Sequence, residues 1–157
     1  MNKNKLTRQT SIRIAVIAVC ALGLPAAASL KNPVTRPVKV SGNMTLIVNP
    51  LSGAYHLTDL GQASHAGRYS DTASGVVNLL TGQFLSGQGT IVAANGDAID
   101  WMVGAPNEVV YTGGTGRFQG ITGGFPAVIT SITPPVVNLD GTWTLGLTYT
   151  GSGEITY

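Results

Sequence analysis

Thr142-Trp143-Thr144-Leu145-Gly146-Leu147-Thr148-Tyr149-Thr150 alternates, position by position, between small polar residues and larger apolar ones, broken only by Gly146. Successive side chains of a strand point to opposite faces, so Trp143, Leu145, Leu147 and Tyr149 share one face and the threonines the other. The pattern predicts a half-buried strand, entered from the turn Asp140-Gly141 and ended by Gly151-Ser152-Gly153. Met44 to Val48 reads the same way and stops at Asn49-Pro50, where proline removes a ladder donor. Gly89 to Ala94 and Asp97 to Val103 flank Asn95-Gly96, the preferred pair for a two-residue type I′ hairpin turn, in which both central residues need positive φ.

Further strands are expected near Ala54 to Leu60, Ser64 to Thr72, Val76 to Leu80, Val109 to Thr112 and Ala127 to Thr133, the last ended by Pro134-Pro135. No run of eleven or more residues after position 40 carries apolar side chains at helical spacing. The chain is therefore expected to be all-β. Its strand count of about eight is the number at which a sheet closes around an interior that side chains fill, or that holds one small ligand. A closed antiparallel barrel is the leading architecture, and a sandwich is the alternative. Val76-Val77-Asn78-Leu79-Leu80 and Val109-Val110-Tyr111 are apolar on both faces, which points to a homo-oligomer covering the outer one.

The chain has 157 residues, of which only 10% are charged, and a formal net charge of +2. Its cations are unevenly placed. Lys3, Lys5, Arg8 and Arg13 precede the apolar run Ile14 to Leu24, which leads to Pro25-Ala26-Ala27-Ala28-Ser29. A positive start, a short apolar stretch and an A-x-A end make a secretory signal peptide over residues 1–28, with cleavage after Ala28. Eleven apolar residues fall short of the roughly 20 that a spanning helix needs. Ile17-Ala18-Val19-Cys20 only loosely resembles a lipobox, because Val19 is not small.

Beyond residue 28, five cations face seven acids, a formal charge of −2, and no cysteine remains. A disulfide framework, a thiolate metal site and a cysteine nucleophile are thereby excluded from the exported chain, as is the basic stripe that nucleic-acid binding requires. Residues 29–40, with two prolines and three cations, read as an extended leader, and residues 41–157 as the barrel domain.

Few residues offer chemistry. His56, Asp59 and His65 could form a metal site only if adjacent strands brought them together, and a solvated imidazole is the simpler reading, so no metal and no cofactor are expected. Asp97 and Asp100 are three apart on one strand and cannot pair with each other. Asp97 suits the turn after Gly96. Asp100 shares a face with Ala98 and Met102, opposite Ile99, Trp101 and Val103, so either the exterior is polar there or the lumen holds an acid, with Arg68 or Arg117 as its partner. Tyr69, Trp101, Trp143 and Tyr149 are aromatic candidates for filling the lumen or stacking on a ligand. The candidate ligand-contacting set is Arg68, Tyr69, Asp100, Trp101 and Arg117.

The most particular stretch runs from Tyr111 to Gly123, Tyr-Thr-Gly-Gly-Thr-Gly-Arg-Phe-Gln-Gly-Ile-Thr-Gly, which reads as a strand end, a tight glycine turn and re-entry into a strand, anchored by Phe118. It lacks the lysine and the following helix of phosphate-binding loops. It resembles the G-G-x-G-x-F-x-x-x-x-G signature of allene oxide cyclase-like and dirigent-like calycin-type barrels and of small exported bacterial proteins of that shape, through Gly113, Gly114, Gly116, Phe118 and Gly123. Two further motifs of the bacterial relatives occur in the same order: His65-Ala66-Gly67-Arg68-Tyr69-Ser70 and Asn95-Gly96-Asp97. The resemblance spans about residues 60–125. It implies a barrel, trimeric in many of the plant proteins, and it brings no activity, because a shared barrel does not carry a shared site. The reading is an exported, non-catalytic barrel that is structural or binds a small hydrophobic ligand; the alternative is a cyclase, isomerase or dirigent-like enzyme guiding a reactive intermediate. A cavity of about 300 Å³ or more would favour binding or catalysis, and a filled lumen the structural reading.

Overall fold

In a computed structural model that describes residues 33–157, period-two alternation governs nearly every element. The expected signal peptide and Cys20 lie outside the described residues. The strands are β1 (Thr35–Val48), β2 (Ala54–Ala63), β3 (Gly67–Asn78), β4 (Gln83–Ala93), β5 (Ala98–Val103), β6 (Glu108–Gly114), β7 (Thr122–Ile132), the two-residue β8 (Val136–Val137) and β9 (Trp143–Thr156). Each of β1 to β6 pairs antiparallel with the next, β7 pairs with β9, and β9 closes on β1, so eight strands form a closed barrel with β8 as a flap on β9. Closure leaves no free edge along the barrel wall. Among the described residues no helix is long and apolar enough to cross a membrane.

Several local expectations change. β1 begins at Thr35, inside the stretch read as a leader: Val38 and Val40 continue its inward row, while Thr35 to Pro37, Lys39 and Ser41 stay exposed. β9 runs through Gly151-Ser152-Gly153 instead of turning there. Those glycines allow close approach, since a Cβ at Gly151 would lie 2.2 Å from Phe125 Cδ2 and one at Gly153 would lie 2.0 Å from the Gly124 carbonyl oxygen. The Asn95-Gly96 hairpin is not type I′. Ala93 N–H bonds the Asp97 carbonyl and Gly96 N–H bonds the Ala93 carbonyl, and only Gly96 has positive φ (87°), so the loop is the three-residue kind with a left-handed final glycine. Ser64 to Ala66 form the β2–β3 turn, with His65 at φ 81°, rather than the start of a strand.

The two ends of the barrel differ. At one end the chain after β6 forms a single 3₁₀ turn, Gly116–Phe118, that lays Phe118 and Ile121 across the lumen with 0% and 1% exposure. This is the plug. Phe118 meets the ring of Tyr157, and the Arg117 guanidinium sits 4.7 Å over the Phe118 ring. The opposite end carries the loops after β1, β3 and β5 and the β7–β9 connection.

Candidate functional site

The site follows from which side chains the alternation sends inward. On β2, Tyr55, Leu57 and Asp59 point into the barrel; on β3, Tyr69, Asp71 and Ala73 do. Asp59 and Asp71 are direct cross-strand partners. They are also the only buried charged residues among those described, at 2% and 7% exposure. Like charges placed opposite one another on a sheet repel. None of Arg36, Lys39, Arg68 and Arg117 is buried, so among the described residues the lumen holds two carboxyls and no basic side chain.

Hydrogen bonds meet part of the need. Tyr149 on β9 donates to Asp59 Oδ2 at 2.6 Å, and the Tyr69 hydroxyl lies 3.3 Å from the same oxygen and hydrogen-bonds the Tyr149 hydroxyl. The Trp101 indole N–H is shared between both oxygens of Asp71, at 3.1 Å each. Asp59 Oδ1 has no partner, the only such buried side-chain atom among the described residues. The amides of Leu60 and Asn43 add a favourable field without hydrogen-bonding geometry to that oxygen. A Cβ at Gly42 would lie 2.7 Å from it, so glycine there leaves the carboxyl its space.

Burial pushes the Asp71 carboxyl up to about 6, against the Trp101 hydrogen bonds, with the Asp59 charge adding to the rise. Burial also raises Asp59, although its tyrosine partners oppose the shift. The lumen phenols move upward for the same reason: Tyr55 to about 12, and Tyr69, Tyr111 and Tyr149 further still. Asp71 is thus the lumen group that changes charge near pH 6, while the phenols stay neutral there.

Both carboxyls line a cavity of about 50 Å³, counted as the space open to the centre of a water molecule. Its walls include Tyr55, Phe84, Trp101 and Phe125, and it extends to Asn107 and the exposed Glu108 at the end opposite the plug. Asn107, at φ 63°, shapes that mouth: its side-chain oxygen accepts from Phe84 N–H at 2.8 Å and its carbonyl from Ala127 N–H at 2.7 Å, tying β4 to β7. At roughly 10–15 Å³ per water, the space admits about three to five waters. Aromatic rings occupy most of the lumen, and inward glycines make room for them, as where the Tyr55 hydroxyl sits over Gly87 and the Trp101 ring over Gly89.

The expected ligand-contacting set is split. Tyr69 and Trp101 enter the lumen, where each bonds a carboxyl. Arg68 and Asp100 are exposed on the outer face, and Asp100 accepts from Thr90 Oγ1 at 2.8 Å, so it is not the lumen acid and pairs with neither arginine. Arg117 belongs to the plug. His56 points outward, Asp59 inward and His65 lies in a turn, so the three cannot share a metal.

The three motif stretches meet at the plugged end. Asp97 Oδ2 accepts from the Arg117 backbone N–H at 3.3 Å and lies 3.7 Å from its guanidinium, which also reaches the Ala66 carbonyl at 3.5 Å. Thr115 Oγ1 accepts from Ala98 N–H, and the His65 ring contacts the Pro37 carbonyl. Gly116 is required beside Asp97, since a Cβ there would lie 2.0 Å from Asp97 Oδ1 and φ is 56°. His65, Gly67, Asn95, Gly96, Asp97, Gly113, Gly114, Gly116, Phe118 and Gly123 thus serve turns and closure. The lumen residues that motif reading passes over are Asp71, Tyr55 and Tyr111, together with the inward placement of Asp59. The available signal was an acid standing two residues from an apolar side chain along one strand face. No protein-family model matches this chain, and no curated protein matches it in sequence.

Proposed function

We propose that this protein is an exported, non-catalytic β-barrel that holds one small molecule in its lumen through the open end. The observation that carries the reading is the cavity lined by Asp59 and Asp71, two buried carboxyls with no basic side chain beside them among the described residues and with one oxygen, Asp59 Oδ1, left without a partner. A buried polar atom left without a partner costs free energy that a bound donor would recover. At about 50 Å³ the cavity falls far below the roughly 300 Å³ of a typical ligand pocket, and its size by itself favours the structural reading; it is the buried carboxyls that argue for a guest, one of about three to five non-hydrogen atoms. Such a volume disfavours a bulky hydrophobic intermediate and with it the cyclase or dirigent-like alternative. Export rests on residues 1–28, and kinship with allene oxide cyclase-like and dirigent-like barrels rests on the three motif stretches.

The test is protein-observed NMR with n-propanol. Perturbation of the Trp101 indole N–H and of the amides flanking Asp59 and Asp71 is expected, and shifts confined to the exterior would overturn the reading. For export, secretion of the full chain should yield a protein whose first residue is Ser29; a protein retaining Met1 in the cytoplasm would overturn it.

A further inference from the structure

The unusual feature of the lumen is its charge balance. Asp59 and Asp71 face each other on neighbouring strands with no cation between or near them, and their hydrogen-bond partners, Tyr149, Tyr69 and Trp101, are neutral. Every basic side chain among the described residues lies outside this space, Arg117 at the plug and Arg36, Lys39 and Arg68 on the exposed surface. A buried carboxylate is ordinarily paired. Here no described residue supplies the partner.

Resting on the lumen-binding reading, we propose that the guest is a small organic ammonium ion, held between the facing Asp59 and Asp71 carboxylates within an aromatic cage. Three observations converge on this class. Asp59 and Asp71 are facing carboxyls on the cavity lining whose charge no basic side chain among the described residues balances, and an ammonium ion would balance it. Tyr55, Phe84, Trp101 and Phe125 line the same space, and ring faces attract a desolvated cation. Glu108, exposed at the mouth, adds negative charge on the way in. A bare divalent metal fits poorly: calcium takes six to eight oxygens, whereas Asp59 Oδ2 is already engaged by tyrosines and both Asp71 oxygens by Trp101. The cavity's few-water volume suits a short alkylammonium.

The groups facing the two carboxyls are Tyr55 from β2, Tyr69 from β3, Trp101 from β5, Tyr111 from β6 and Tyr149 from β9, with Glu108 at the mouth. None of the lumen phenols ionises below pH 8. Affinity for an ammonium ion should therefore fall on acidification as Asp71 and Asp59 take up protons.

The experiment titrates the protein with n-propylammonium chloride and, in parallel, with n-propanol, a neutral molecule of the same size, at constant ionic strength, reading the Trp101 indole N–H. At pH 7.5 propylammonium should bind about ten- to a hundredfold more tightly than propanol, the range a charge-assisted bond supplies. That preference should shrink at pH 4.5, where Asp71 is protonated, and disappear in D59N/D71N, while E108Q should weaken binding only slightly. Should the double variant fail to fold, the pH comparison on the unaltered protein decides. Equal or tighter binding of propanol would overturn this proposal and leave the lumen-binding reading standing. Binding of neither would overturn both. A preference undiminished at pH 4.5 would place the cation away from these carboxyls and refute the assignment.

Discussion

Replacing Asp71 by asparagine should make the protein more stable at pH 8 and slightly less stable at pH 4. The wild-type carboxyl is held near 6 in the folded barrel against 3.8 unfolded, so the folded state binds the proton more tightly. Its stabilising contribution is complete below the unfolded value and is lost as pH rises through about 6, at a rate of 1.36 kcal/mol per pH unit, about 3 kcal/mol in all. Asparagine keeps an acceptor for the Trp101 indole and removes the charge, but brings a donor with no partner, a cost of about 1 kcal/mol. The net effect is a gain of about 2 kcal/mol at pH 8, or roughly 8 °C in Tm for a domain of this size, and a loss of about 1 kcal/mol at pH 4. Thermal unfolding followed by circular dichroism at pH 4, 6 and 8 measures it. A variant that is less stable than wild type by a similar amount at every pH would refute the reasoning, because it would mean that the charged carboxylate is welcome in the lumen.

Tyr149→Phe deletes the 2.6 Å donor to Asp59 and should cost about 2 kcal/mol at pH 8, with the loss shrinking toward pH 4 as the carboxyl protonates; urea titrations at the two pH values check this. Phe118→Ala should cost about 3–5 kcal/mol in urea, because the ring is fully enclosed at the plug, and a cost under 1 kcal/mol would show that the plug is peripheral to stability. Gly151→Ala drives a methyl into Phe125 and should cost about 1–3 kcal/mol, of which Phe125→Leu in the same chain should restore a large part.

The barrel was legible because alternation is a local signal: Trp143 to Tyr149 and Met44 to Val48 announce their faces without reference to any partner. Elements went astray where a tertiary contact sets the backbone. Gly151 and Gly153 look like a turn in isolation and are strand residues because Phe125 and Gly124 press against them. Pro37 and the cations around it look like a tether, yet they are the exposed half of β1 paired with β9. The site was half visible. Tyr55-x-Leu57-x-Asp59 and Tyr69-x-Asp71-x-Ala73 each place an acid on an inward face, but that the two acids meet depends on register. The Asp59 to Asp71 pairing follows from a turn centred on His65 at φ 81°, a conformation that a non-glycine residue does not advertise. Asp100, the acid singled out in the sequence, sits one position off the inward row.

The seam where β9 meets β1 fixes a schedule as well as a shape. Its fourteen residue pairs, from Thr35 with Thr156 to Val48 with Trp143, join segments 95 to 121 positions apart, so the wall is incomplete until the last strand has left the ribosome. Before then β1 and β7 are open edges, and the Asp59 and Asp71 carboxyls sit in water, where ionisation is cheap. Contacts of such long range make for slow folding. The chain therefore stays threadable until β9 has been made, and its acids give up their hydration in the same late step that shuts the barrel.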